Sequence, residues 1–197
     1  MRALVLAAWL SLFGVAAWAE FPALYDVTGV SSGDVLNIRA GPGTAHADRG
    51  DLVYDATRIE VLGREGDWLR INFDGAPAWV SARFMTRQEG AAFPDHPVIC
   101  HGTEPFWSLS RAANGALRFE RPGAEALALE GSAAIRSANR ADVAHFSAAS
   151  GDARFDAILR KGSCSDGMSD LGFGLSIDLL RRDPNGTRLL SGCCALN

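Results

Sequence analysis

Lysine is almost absent from this chain: of its 19 Lys and Arg residues, only Lys161 is a lysine. No three basic residues run together, and with 23 Asp and Glu the formal net charge is −4. The scattered arginines read as solvated surface, and an acidic chain without a basic patch is not built to hold nucleic acid. Cysteine is scarce too, limited to Cys100, Cys164, Cys193 and Cys194. None forms a C-x-x-C pair, which excludes a thioredoxin-type redox centre and a haem attachment. There is no H-E-x-x-H, and His46, His96, His101 and His145 stand at no ligand spacing. Neither a metal nor another cofactor is expected.

Residues 1–19, MRALVLAAWLSLFGVAAWA, have a basic Arg2, an uncharged apolar run and a small-x-small ending at Ala17-Trp18-Ala19. This is the pattern of a cleaved signal peptide. The uncharged run is shorter than the ~20 residues a membrane span needs, so no stable membrane anchor is expected. Loss of Arg2 takes the net charge from −4 to −5. Export to the periplasm or cell envelope makes two disulfides the expectation for four cysteines. Neighbours on a strand face opposite ways, so Cys193 and Cys194 are poorly placed to serve one metal. They are well placed to make two disulfides, one on each face. Cys100 and Cys164 would each take one partner, with the pairing left open.

Between residues 24 and 86, short alternating runs are separated by turn signals. "DWLRINF" sets Trp68, Arg70 and Asn72 against Leu69, Ile71 and Phe73, and Asp74-Gly75 suits a two-residue hairpin turn. About five short strands in so little chain suggest a small closed barrel. The combination "LNIRAGPGT", "DWLRINFDG" and "AWVSARFM" resembles a bacterial SH3 (SH3b) domain, assigned to residues 20–88. It departs from the family at Ala78, where glycine is usual before the final Trp-Val. The resemblance implies an extracytoplasmic binding module, often one for cell-wall peptides. Trp68 and Trp79 would offer flat apolar faces and Arg39 a bidentate partner for a carboxylate. Each also has a structural reading, the tryptophans as core and Arg39 as a brace for the Gly-Pro turn. Gly29-Val30-Ser31-Ser32-Gly33 matches G-x-S-x-G, but a strand and turn follow it where a hydrolase needs a helix. It is read as a hairpin loop.

Residues 89–97 read as a linker, with little apolar content and no periodicity. Residues 98–197 again read as strands. Asn114-Gly115 suggests a type I′ hairpin, and Asp183-Pro184-Asn185-Gly186 another hairpin connection. The Asn185 sequon is taken as part of that turn. Residues 132–150 allow either a short helix after Ser137 or Asn139, or an irregular strand. "CHGTEPFW", "CSDGMSDLGF" and the final "GCC" resemble a domain of uncharacterised bacterial envelope proteins, with a looser architectural likeness to META-type β domains. The expected fold is therefore all-β: an SH3-like barrel followed by a disulfide-stabilised antiparallel β domain, barrel- or META-like.

That second resemblance carries no activity, so its residues are weighed chemically. Glu104, Asp166 and Asp170, if they converge, could bind a divalent cation or act as an acid/base pair. Alternatively each caps a turn, as Asp166-Gly167 suggests. Phe106 and Trp107 point opposite ways on a strand, one into the core, and Trp107 joins the ligand-binding candidates. No nucleophile, base and orienter stand together. The expected function is a non-catalytic envelope protein that binds peptidoglycan or another envelope ligand or protein. A sensor or inhibitor working through the second domain is the alternative, and a wall hydrolase a more distant one.

Overall fold

Alternation between inward apolar and outward polar residues decides both halves of the molecule. The computed structural model describes residues 21–197, and the expected signal peptide lies outside the described residues. The first unit has β1 (Ala23–Val27), β2 (Val35–Arg39), β3 (Asp48–Val53), β4 (Ile59–Val61), β5 (Gly63–Glu65), β6 (Trp68–Phe73), β7 (Ala76–Ser81), a short 3-10 helix (Ala82–Phe84) and β8 (Met85–Arg87). Its two sheets, β4-β1-β8 and β3-β2-β7-β6-β5, make an SH3-like barrel. Leu36, Ile38, Val61, Leu69, Ile71, Ala78 and Val80 fill the space between them. Phe73 pairs with Ala76 across Asp74-Gly75, both at positive φ, as a type I′ turn requires.

The second unit has β9 (Val98–Thr103), β10 (Phe106–Arg111), β11 (Leu117–Glu120), β12 (Leu127–Gly131), β13 (Ile135–Arg136), β14 (Val143–Ser150), β15 (Ala153–Cys164), β16 (Phe173–Asp183) and β17 (Gly186–Leu196). Eight of these form a closed antiparallel up-and-down barrel. Glu130 and Gly131 of β12 pair with Ala149 and Ala148 of β14, while β17 returns to pair with β9. Closure leaves no open edge. Residues 132–150 contain no helix: β14 carries the barrel wall, β13 is a two-residue ledge beside it, and residues 137–142 are the irregular link between them. The Asn114-Gly115 hairpin also differs from expectation. Its loop is longer than two residues, only Gly115 has positive φ, and the Asn114 side chain itself accepts the Ala116 N–H at 3.0 Å.

The cysteine doublet lies on the closing strand. Cys194 faces inward and bonds Cys100, its direct partner across the β17–β9 seam. Cys193 bonds Cys164, where the 165–172 loop runs over the outer face. No described cysteine is free. The same seam explains two glycines. A Cβ on Gly102 would sit 2.2 Å from Trp107 Nε1, and one on Gly192 would meet the His101 carbonyl oxygen at 2.2 Å and the Trp107 ring at 2.9 Å. The indole needs both positions bare.

The two barrels are packed together. Leu24 of β1 and Phe93 of the connecting segment are buried within the second barrel's core. Asn72 donates to the Gly172 carbonyl at 2.7 Å and accepts the Gly172 N–H at 3.2 Å. Glu60 Oε1 accepts the Leu196 N–H at 2.9 Å. Pro22 lies against Gly174, where a Cβ would come within 2.6 Å of its ring. The segment read as a spacer therefore also supplies a core residue.

Candidate functional site

In the first barrel, residues of β2 and β6 that point away from the core meet the 29–35 hairpin loop and Phe84. Together they line a groove of about 270 Å³. Arg39 and Trp68 stand on its wall with Val35 and Phe84, and Asp34 lies at the loop. Ser31, Asn37, Thr44 and Ser81 add polar atoms, so the groove is mixed in character, with one carboxylate and one cation. That cation is positioned: Arg39 Nη1 lies 3.4 Å from Asp48 Oδ2, which also accepts from Asn37 Nδ2 at 3.2 Å. The bracing partner is thus the Asp48 carboxylate on β3. Trp79, half-buried, does not line this groove. It stands on the outer face of β7, directly between Arg39 and Arg70 on the neighbouring strands.

The second-domain candidates do not converge on one site. Glu104 is exposed in the β9–β10 turn. Trp107 is a core residue, stacked on Phe119 with ring centroids 6.2 Å apart, while Phe106 faces outward. Asp166 organises its own loop, accepting the Met168 and Ser169 N–H groups at 3.0 and 2.9 Å and the Ser169 hydroxyl at 2.8 Å. Those bonds, led by Met168, hold its carboxyl below the ordinary carboxylate range. Asp170 is exposed in the same loop. Among the described residues, no three His, Cys, Asp or Glu side chains are grouped as metal ligands would be. His101 packs edge-on to Phe173, and His145 Nε2 lies 3.2 Å from Asp156.

Sequence reasoning missed the junction between the barrels. A cavity of about 670 Å³ opens there, at one end of the second barrel. Arg58, Arg87, His96 and Lys161 stand on its polar side, with Leu159 and Leu175 on its apolar side. Burial lowers the His96 pKa first, and the Lys161, Arg87, Arg111 and Arg58 cations lower it further. The signals available were the lone Lys161 and His96 in the connecting segment, but nothing in their spacing predicts that they meet. Nearby Glu60 shows the opposite effect: burial raises its carboxyl to about 7, against a smaller lowering by the Leu196 N–H.

Residues 34–86 match the family model of the bacterial SH3 domain. The match begins near the start of β2 and ends two residues into β8, leaving β1 outside it. No curated protein and no solved structure matches the chain. Among the described residues, no helix is long and apolar enough to cross a membrane.

Proposed function

We propose that this is a non-catalytic exported envelope protein whose SH3 barrel binds a peptide of the cell wall. The supporting observation is the Arg39–Trp68 groove, which joins a braced guanidinium to the Trp68 side chain within the SH3-matched segment. A guanidinium can grip a peptide carboxylate bidentately while Trp68 covers the adjoining apolar chain. Two disulfides fit an oxidising compartment, and they leave no thiol nucleophile among the described residues. The likeness of GTEPFW, CxDGMSD and GCC to motifs of envelope proteins supports the same location. The junction cavity favours a second reading, a sensor that takes an anionic ligand between the barrels.

The test is co-sedimentation of the purified protein with peptidoglycan. Trp68→Ala and Arg39→Ala should each weaken binding by about tenfold, because both remove a contact from the groove. Trp79→Ala should have the smaller effect. Binding that is absent, or equal in all four proteins, would overturn the wall-peptide reading.

A further inference from the structure

The other end of the second barrel raises a separate question. Along β16 every second residue is buried, with Leu175, Ile177 and Leu179 in the barrel core, and the alternation then reaches Arg181. An arginine thus occupies a position where the pattern calls for an apolar side chain. It is 8% exposed, and its guanidinium lies over the Phe119 and Phe155 rings at 5.5 and 5.9 Å. One Nη is 2.6 Å from Asp183 Oδ2. Its Nε, however, is the one buried side-chain nitrogen or oxygen among the described residues with no hydrogen-bond partner. An unused donor on a buried cation is costly, and an apolar residue of similar size would avoid that cost.

Arg181 lines a cavity of about 380 Å³ at this barrel mouth. Two more guanidiniums, Arg121 and Arg188, line it, against the single Asp183 carboxylate paired to Arg181. Arg188 is the direct cross-strand partner of Arg181, so like charges face each other across β16 and β17. Such a pair is unfavourable unless an anion lies between. The remaining walls are apolar: Trp107, Phe119 and Leu190 inside, Pro105 and the exposed Phe106 at the rim. The volume falls within the range of small-molecule sites, about 300–1,000 Å³, and barrel mouths are common places for them.

We infer that this mouth binds a small anionic amphiphile, its carboxylate or phosphate held by Arg181 and Arg188 and its apolar body lying against Trp107 and Phe119. The Glu104-Pro105-Phe106-Trp107 stretch then has a role the SH3 groove does not explain. Phe106 forms the rim, and Trp107 is the inner wall that Gly102 and Gly192 make room for.

Calorimetric titration of the purified protein with decanoate, decyl phosphate, decanol and acetate tests this. Decanoate, decyl phosphate or both should saturate the site, and a preference between them identifies the head group. Decanol and acetate should bind at least about tenfold more weakly, since each lacks half of the recognised chemistry. Arg121 and Arg188 are exposed, so Arg188→Glu and Arg121→Glu should fold normally. Each should weaken the anion by about tenfold or more and leave decanol unchanged. Equal binding of decanol and decanoate, no saturable binding by either anion, or anion binding unchanged in both variants would overturn the inference.

Discussion

Glu60→Gln should stabilise the protein at alkaline pH and do little at acidic pH. The wild-type carboxyl is raised from 4.5 to about 7, chiefly by burial at the junction, where it accepts the Leu196 N–H. Because the folded state holds this proton more tightly than the unfolded chain, the stabilisation is fully present below pH 4.5. It is lost as pH rises through about 7. The size of the shift corresponds to roughly 3 kcal/mol between those limits. Glutamine keeps an acceptor oxygen for Leu196 but has no charge to desolvate, so it escapes the loss. His96 acts with the opposite sign: its lowered pKa makes stability rise with pH up to its ordinary value of 6.5. Wild-type curves therefore mix the two effects, and only the difference between variant and wild type isolates Glu60. Urea unfolding of both proteins at several pH values from 5 to 8.5 gives that difference. It should grow with pH and level off above 7.5. A difference that is flat across the range would refute the assignment of a buried, proton-holding carboxyl to Glu60.

Gly102→Ala should cost about 2 kcal/mol or more in denaturant unfolding, because its Cβ meets both Trp107 and the Ser191 carbonyl. Gly162→Ala, with nothing within 4 Å, should be close to neutral by the same assay. Asn72→Ala removes two bonds between the barrels and should weaken the junction by about 1–2 kcal/mol, read as faster amide exchange at Gly172. Native protein should titrate no thiols. Replacing Cys100 and Cys194 by serine should cost about 4–5 kcal/mol, against about 3–4 for Cys164 and Cys193, because the enclosed loop is longer.

What was legible in the sequence followed from period and turn chemistry. Alternation in "DWLRINF" identified its strand, Asp74-Gly75 gave its hairpin, and strand parity placed the doublet's two sulfurs on opposite faces. Strand parity alone could not say which of Phe106 and Trp107 turns inward. That is decided by the bare backbone at Gly102 and Gly192, which lie 90 residues apart in the chain and become neighbours only when β17 closes on β9. Arg181 was overlooked because "RR" at the end of an apolar run looks solvated, although continuing the Leu175, Ile177, Leu179 alternation points it inward. The junction was illegible for a different reason. Asn72 meets Gly172, and Glu60 meets Leu196, through contacts that no local pattern encodes.

The doublet on β17 has a consequence for how the chain must be made. Both bonds need the strand that comes last among the eight of the barrel. A nascent chain that has emerged only as far as β16 offers an oxidant one pairing, Cys100 with Cys164, and that pairing is wrong. Correct oxidation must wait for β17 or be repaired by thiol–disulfide exchange once it arrives. The covalent locking of the barrel is thus ordered in time by the position of two adjacent residues.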